Sequence, residues 1–398
     1  MITTLDRLEA RRHQSTDLEA VRLLNRICQQ LEITPAMFAL AKERYESIAA
    51  YLQAPDSPLR KFDPQVYPQG SINLGTTVRP IGSNEFDVDV ICQFDAADRS
   101  LVTAFKDAIL KRLSARGIYK LLLKNRCVRV QYANEFHIDI TPAIPDHLQG
   151  PENILVADKE AGSAKESNPK DYKTWFDEIC SLEPMLSYAE VELSENFAAA
   201  EPLSVPRFSK PLLQRMVQLM KRHRDHEFEG SKDGPISAII TTLAAQSYDR
   251  QVRDRNFVSQ LHFIRSVVAA MPDFIVRKGS QESVPNPANP LENFADKWPA
   301  HPERREAFYS WHESVVAHFD SILATLGQGK EHFFEALAAG YGKDLVTNAA
   351  VKESEERKEL LDQRKLGVTK RSGITAPITA SSLVSSVMPV PKHTNFGK

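Results

Sequence analysis

Phe86-Asp87-Val88-Asp89-Val90 is the stretch on which the reading of this chain turns. Its apolar residues alternate with acids, the period of a half-buried β-strand, so Asp87 and Asp89 share the face opposite Phe86, Val88 and Val90. Two carboxylates on one strand face repel each other unless a cation lies between them. Upstream runs Gln69-Gly70-Ser71-Ile72-Asn73-Leu74-Gly75-Thr76-Thr77, joined to the strand through Arg79-Pro80 and Gly82-Ser83-Asn84. Gly70 and Gly75 let the backbone approach a ligand closely, and Ser71, Thr76 and Thr77 set hydroxyls beside N–H groups that can form an anion-binding concavity. Mg²⁺ shared between carboxylates and substrate phosphates suits this combination. The loop is not of the Walker type, which ends in Gly-Lys-Ser/Thr. No lysine lies between Lys61 and Lys106, so positive charge for phosphates must come from metal or from elsewhere in the chain.

A third carboxylate lies downstream. Arg126-Cys127-Val128-Arg129-Val130-Gln131-Tyr132 alternates, Ala133-Asn134-Glu135 reads as a turn, and Phe136-His137-Ile138-Asp139-Ile140 alternates again. Phe136, Ile138 and Ile140 take one face, leaving His137, Asp139 and Thr141 on the other. If this strand pairs beside the first, Asp139 joins Asp87 and Asp89 in a catalytic site able to hold two Mg²⁺ ions about 3.5–4 Å apart. Glu85 and His137 are nearby titratable groups and read as solvated or structural.

Gly70-Ser71, the spacing to Asp87-x-Asp89 and the isolated strand carboxylate Asp139 resemble the polymerase-β-like nucleotidyltransferases. The fuller wording Tyr67-Pro68-Gln69-Gly70-Ser71 with Gly75-Thr76-Thr77, and the later Asn168-Pro169-Lys170-Asp171-Tyr172-Lys173-Thr174-Trp175-Phe176, is most similar to the CD-NTases, bacterial relatives of cyclic GMP-AMP synthase. That resemblance extends loosely over residues 15–345. It implies an α+β fold: a nucleotidyltransferase core with a mixed sheet, a long N-terminal helix and a C-terminal helical domain. It also implies synthesis of a cyclic oligonucleotide from ATP and GTP in anti-phage signalling, with a trinucleotide favoured over a dinucleotide. Gln69, Gly70 and Ser71 would bind the nucleotide. Lys221 and Ser237 resemble the lysine and serine that grip the donor triphosphate from consecutive helices, and Asn293 falls in a segment like the one near the base pocket. The partners implied are an operon-encoded HORMA-type activator or a ubiquitin-transfer-like protein acting on the C-terminal tail. A template-independent RNA-tailing enzyme and a small-molecule or protein nucleotidyltransferase would share the carboxylates.

A formal net charge of −2 over 398 residues carries no global basic bias, so a nucleic-acid polymer is not the evident partner. Cysteines at 28, 92, 127 and 180 lack CxxC spacing and read as buried thiols, and no apolar run is long enough to span a bilayer, which together predict a cytoplasmic protein.

Periodicity divides the chain at 1–205, 206–345 and 346–398. Residues 15–55 read as helix interrupted at Thr34-Pro35, lying across the back of the catalytic core. Leu101, Phe105, Ile109 and Leu113 form the stripe of a helix ending near Gly117, and 146–170 reads as a long loop. From Pro206 the chain turns helical, with a face of Leu212, Leu213, Met216, Val217 and Met220 running into Lys221-Arg222-His223-Arg224, a cluster expected in solvent. Pro285–Phe294 reads as a proline-punctuated turn entering a helix through Trp298, with helices at 303–327 and 330–341. Residues 352–365 predict a charged helix, and the composition beyond Gly373 predicts a tail without structure of its own.

Overall fold

The computed structural model describes residues 4–82, 86–96, 98–117, 120–132, 136–158, 163–186, 210–231, 233–254, 256–363, 366–369, 375–377 and 387–389. Glu85, the turn at 133–135 and most of the tail beyond Gly373 lie outside the described residues. The N-terminal periodicity forms α1 (Thr4–Leu31) and α2 (Pro35–Gln53). Thr34 separates them, its Oγ1 accepting the Met37 N–H at 3.2 Å, while Pro35 occupies the first turn, where no donor is lost. The break sends the two helices into different cores. Val21, Leu24, Ile27 and Leu31 pack among the C-terminal helices, whereas Ala41, Ile48 and Leu52 pack beneath the sheet.

The sheet is built from β1 (Gln65–Pro68), β2 (Phe86–Gln93), β3 (Lys120–Leu123), β4 (Val128–Tyr132), β5 (Phe136–Pro145), β6 (Ile154–Asp158) and β7 (Ser163–Ser167). Its order is β1-β2-β5-β4-β3, with β6 added to β5 and β7 to β6. Only β2 and β5 run parallel, which makes the sheet mixed as expected. Phe86, Val88, Val90, Phe136, Ile138 and Ile140 are all buried against α2 and against α4 (Leu101–Ser114, following the one-turn α3 at Gly70–Asn73), to which α4 contributes Val102, Phe105, Ile109 and Leu113.

Strands β6 and β7 correct the reading of 146–170 as a loop. Ile154, Leu155, Val156 and Ala157 form a short, wholly buried apolar run, which periodicity cannot assign to strand or helix. Asp158 closes it, buried but satisfied by Arg126 Nε at 2.9 Å and Asn125 Nδ2 at 3.1 Å.

The rest is mainly helical: α5 (Pro169–Cys180), α6 (Leu212–Glu227), α7 (Ser237–Asp254), α8 (Gln260–Ala269), α9 (Pro302–Thr325), α10 (Lys330–Tyr341) and α11 (Lys343–Asp362). Phe176, Met216, Tyr248, Phe263, Trp311, Phe319 and Tyr341 join one core, so Trp175-Phe176 anchors α5 through Phe176. Between α8 and α9 lie two short hairpins, β8–β9 (Val276–Lys278, Gln281–Ser283) and β10–β11 (Pro285–Asn286, Asn289–Asn293). The second corrects the expected turn into a helix through Trp298. Asn286 Oδ1 accepts the Ala288 N–H at 2.8 Å and Asn289 Oδ1 that of Leu291 at 3.2 Å, and the helix waits until Pro302. Helix α11 passes through residue 345 and buries Val346 and Ala349 in the same core. In the tail, Leu366–Thr369 pairs with both Thr375–Pro377 and Val387–Pro389, so these segments are ordered into a small sheet where composition predicts none.

Candidate active site

Strand pairing decides where the acids meet. The parallel register of β2 and β5 sets Asp89 opposite Asp139 and Asp87 opposite His137, all on the face away from the apolar core. The antiparallel partner β4 then sets Arg129 opposite Asp139. Arg129 donates from Nε and Nη2 to the two oxygens of Asp139, both at 2.7 Å, and its Nη2 also stands 3.1 Å from Asp87 Oδ1. His137 Nε2 is 4.0 Å from Asp87 Oδ1. Burial, followed by the negative charge of Asp139 and Asp87, pushes Asp89 up to about 7. Asp87 is raised as well, by burial first, with Arg129 opposing.

The glycine-rich loop lies directly over these acids. β1 pairs with β2 as far as Pro68 opposite Val90, and the Gln69 N–H then donates to Asp89 O at 2.8 Å. Gly70 follows with φ +63°, and a Cβ there would stand 2.5 Å from Asp89 Oδ2. Position 70 therefore requires glycine on two counts, conformation and contact. Within the loop the Thr76 N–H donates to Ser71 O at 2.9 Å, and the Ser71 and Thr77 hydroxyls are 3.2 Å apart.

Helix α6 holds the loop from behind. Gln218 donates to Thr77 O at 2.9 Å, Lys221 Nζ to Thr76 O and Oγ1 at 3.2 and 3.0 Å, and Arg222 to Arg79 O at 2.8 Å; Lys210 adds a bond to Gly75 O at 3.0 Å. The basic cluster expected in solvent is thus buried at Lys221, Arg222 and His223, with loop oxygens accepting from Lys221 Nζ and Arg222 Nη2. Burial lowers Lys221 to about 7, with Arg224 adding to the shift. Thr76 takes two of its three donors, leaving one N–H for the cleft that it lines.

That cleft holds about 840 Å³ and is bordered by Gln69, Gly70, Ser71, Asp87, Asp89, Lys221 and Ser237. Ser237 opens α7 and accepts from Arg224 Nη1 at 3.1 Å. Asn293 is placed differently. Its Oδ1 accepts the N–H groups of Val284 and Ala295, each at 2.9 Å, so it closes its own turn and is absent from the cleft wall. Its neighbours Asn286, Glu292 and Phe294 line the cleft instead. Glu292 accepts from Ser167 Oγ at 2.8 Å and Asn286 Nδ2 at 2.6 Å, and burial raises its carboxyl.

Sequence reasoning passed over Arg129, Arg224 and Glu292. Arg129 had a signal: a hairpin centred on residue 134 pairs 129 with 139. Glu292 had none, since its contact with Ser167 joins residues 125 positions apart.

Three carboxylates beside a phosphate-sized loop are a donor set for a hard divalent cation. Among the described residues, however, no three of His, Cys, Asp and Glu converge closely enough to enclose a metal ion. Asp139 is instead engaged by Arg129 through both oxygens.

The model of the Second Messenger Oligonucleotide or Dinucleotide Synthetase domain matches residues 19–179. The chain carries the match to this domain over its first half and is similar along nearly its whole length to the CD-NTases. The chain is a nucleotidyltransferase and is 27% identical over 385 residues to a c-di-GMP synthase of Roseivirga ehrenbergii, covering 94% of this chain and 96% of that protein. It is 25% identical over 406 residues to the cyclic dinucleotide synthase CdnG of Bradyrhizobium diazoefficiens, covering 96% and 95%. Among solved structures, that CdnG in complex with GTP superposes with TM-score 0.63 at 23% identity, over 84% of this chain and 99% of the other. The CdnC:HORMA-deltaN complex of E. coli MS115-1 gives 0.55 at 13%, over 82% and 97%. These likenesses establish the shared fold, including the N-terminal helix, the mixed sheet and the C-terminal helices.

Proposed function

We propose that this protein is a CD-NTase that joins nucleoside triphosphates, GTP among them, into a cyclic dinucleotide with release of pyrophosphate. The observation that carries the reading is the pairing of Asp89 with Asp139 beneath Gly70, at the mouth of a cleft large enough for two nucleotides. Asp87 and Asp89 would hold the metal that accompanies the donor triphosphate, and Asp139 would help to hold a second Mg²⁺. Bound there, the two ions would supply charge neutralisation at the α-phosphate and a lowered pKa for the attacking hydroxyl. The loop at Gln69, Gly70 and Ser71 presents N–H and hydroxyl groups to the phosphates, with Lys221 and Ser237 completing the grip. The acceptor hydroxyl oxygen forms its bond to the α-phosphorus as the bond to pyrophosphate breaks, and its proton passes to the Asp139 carboxylate. A second transfer closes the ring. A cleft that retains the linear intermediate favours this over extension, because both reacting ends are already held together.

Guanine is supported by Glu292. A carboxylate accepts from the N1–H and exocyclic N–H₂ of guanine, donors that the same edge of adenine does not present together. The names of the two full-length relatives, a c-di-GMP synthase and a cyclic dinucleotide synthase, also favour two nucleotides over the trinucleotide expected from sequence. No described helix is long and apolar enough to cross a membrane, and we place the reaction in the cytoplasm, in anti-phage signalling. A HORMA-type protein is the regulator favoured by the CdnC complex.

Incubation with nucleoside triphosphates labelled one at a time, then phosphatase and mass spectrometry, tests the proposal. A phosphatase-resistant cyclic dinucleotide carrying GTP label is expected, and Glu292→Gln should lower GTP incorporation relative to ATP. A ladder of linear products, or label transferred to protein, would overturn it.

A further inference from the structure

The carboxylate face already contains a cation, the guanidinium of Arg129. Its geometry exceeds that of a simple cross-strand pair: the fork engages both oxygens of Asp139 while one nitrogen also reaches Asp87, so one side chain ties acids from two strands. Charge-assisted, bidentate contacts of this kind are strong and fix orientation. Asp139 and Asp87 also keep Arg129 firmly protonated, with the Asp139 hydrogen bonds the leading cause. The same oxygens are the ones that a divalent ion needs. While Arg129 occupies them, the three acids do not converge on a common point.

We infer that Arg129 is the resident counter-ion of the carboxylate face, holding Asp87 and Asp139 in place before metal arrives and surrendering them to the divalent ion when it binds. The inference rests on the reading of Asp87, Asp89 and Asp139 as metal ligands. Metal affinity is then the outcome of an exchange, and the displaced guanidinium stays tethered at the mouth of the site as a free cation. Arg129 is a positioning residue, acting through the carboxylates that it holds.

The probe is Mn²⁺ alone, titrated without nucleotide into the full-length protein and followed by calorimetry and electron paramagnetic resonance, with melting temperatures in EDTA and in Mn²⁺. Arg129→Met removes the competitor but keeps an apolar stem. It should bind Mn²⁺ about tenfold more tightly than wild type, equivalent to about 1.4 kcal/mol. It should also melt lower in EDTA, where the acids repel unscreened, and gain more on adding Mn²⁺. Arg129→Lys, which keeps charge without the fork, should fall between the two and keeps the test open if the methionine variant does not fold. Equal Mn²⁺ affinity in wild type and both variants would make Arg129 a purely structural cross-strand residue and overturn the inference. Asp87→Asn with Asp139→Asn serves as the separate control: undiminished Mn²⁺ binding in that protein would show that the carboxylates are not the metal site, a failure of the underlying reading and not of the exchange.

Discussion

The two faces of strands β2 and β5 are made from alternate residues of the same segments and stand in opposite energetic condition. On one, Phe86, Val88, Val90, Phe136, Ile138 and Ile140 are each at most 4% exposed and packed by α2 and α4. On the other, Asp87, Asp89 and Asp139 crowd their charges, with Asp89 raised to about 7 and Arg129 as the cation within reach. One set of ladder hydrogen bonds serves both. A shift of one position along either strand therefore moves from a residue that the fold needs to one to which we assign the chemistry, and variants at neighbouring positions should separate stability from activity.

The largest effect should come from Asp87→Ala with Asp89→Ala. Product formation should fall by about 10³-fold or more, as when charge stabilisation is removed from a transition state, while the melting temperature stays level or rises because repelling carboxylates are gone. Undiminished synthesis would erase the distinction between the faces. Ile138→Ala, one residue from Asp139, should do the reverse. Its cost is about 2–5 kcal/mol, seen as a lower urea midpoint with an unchanged slope, and the folded fraction should retain its KM.

Asp89→Asn sharpens the comparison through pH. Folding raises the Asp89 carboxyl from 3.8 to about 7, so the folded state holds the proton more tightly and wild-type stability falls as pH climbs through that window. The asparagine variant should thus be more stable than wild type at pH 8, by at most about 4 kcal/mol, with the gain vanishing near pH 4. A pH-independent difference would mean that Asp89 is not frustrated by its burial. The smallest effect belongs to the loop clamp. Lys221→Ala should raise KM for nucleotide about tenfold with little change in kcat, since the contact is made in ground and transition states alike. Because burial lowers Lys221 to about 7, wild-type affinity should also weaken as pH rises above that value, and the variant should lose this dependence.

What could be read beforehand follows a physical line. Period-two alternation is local, so Phe86–Val90 and Phe136–Ile140 declared both their faces, and Leu101, Phe105, Ile109 and Leu113 declared the helix that covers them. Long-range partners were hidden. Lys221 emerged from the lack of a lysine in the loop and from resemblance, and nothing announced the burial of Lys221 and Arg222, since the carbonyls that accept from them lie some 140 residues earlier. Ile154–Ala157 was too short and too uniformly apolar to reveal itself, and Asn293 drew attention by motif while the side chain facing the cleft was its neighbour Glu292.

The meeting of the first and last long helices has a consequence for how the protein is made. α1 packs on α11, with Arg26 donating to Glu353 at 2.7 Å across 327 positions. At roughly 5–20 residues per second, translation leaves α1 without that partner for about 16–65 s. The loop likewise waits for α6 to emerge. A nascent chain thus carries its acidic strands well before the helix that holds the loop over them has been made, and α1 is the last of these elements to find its partner.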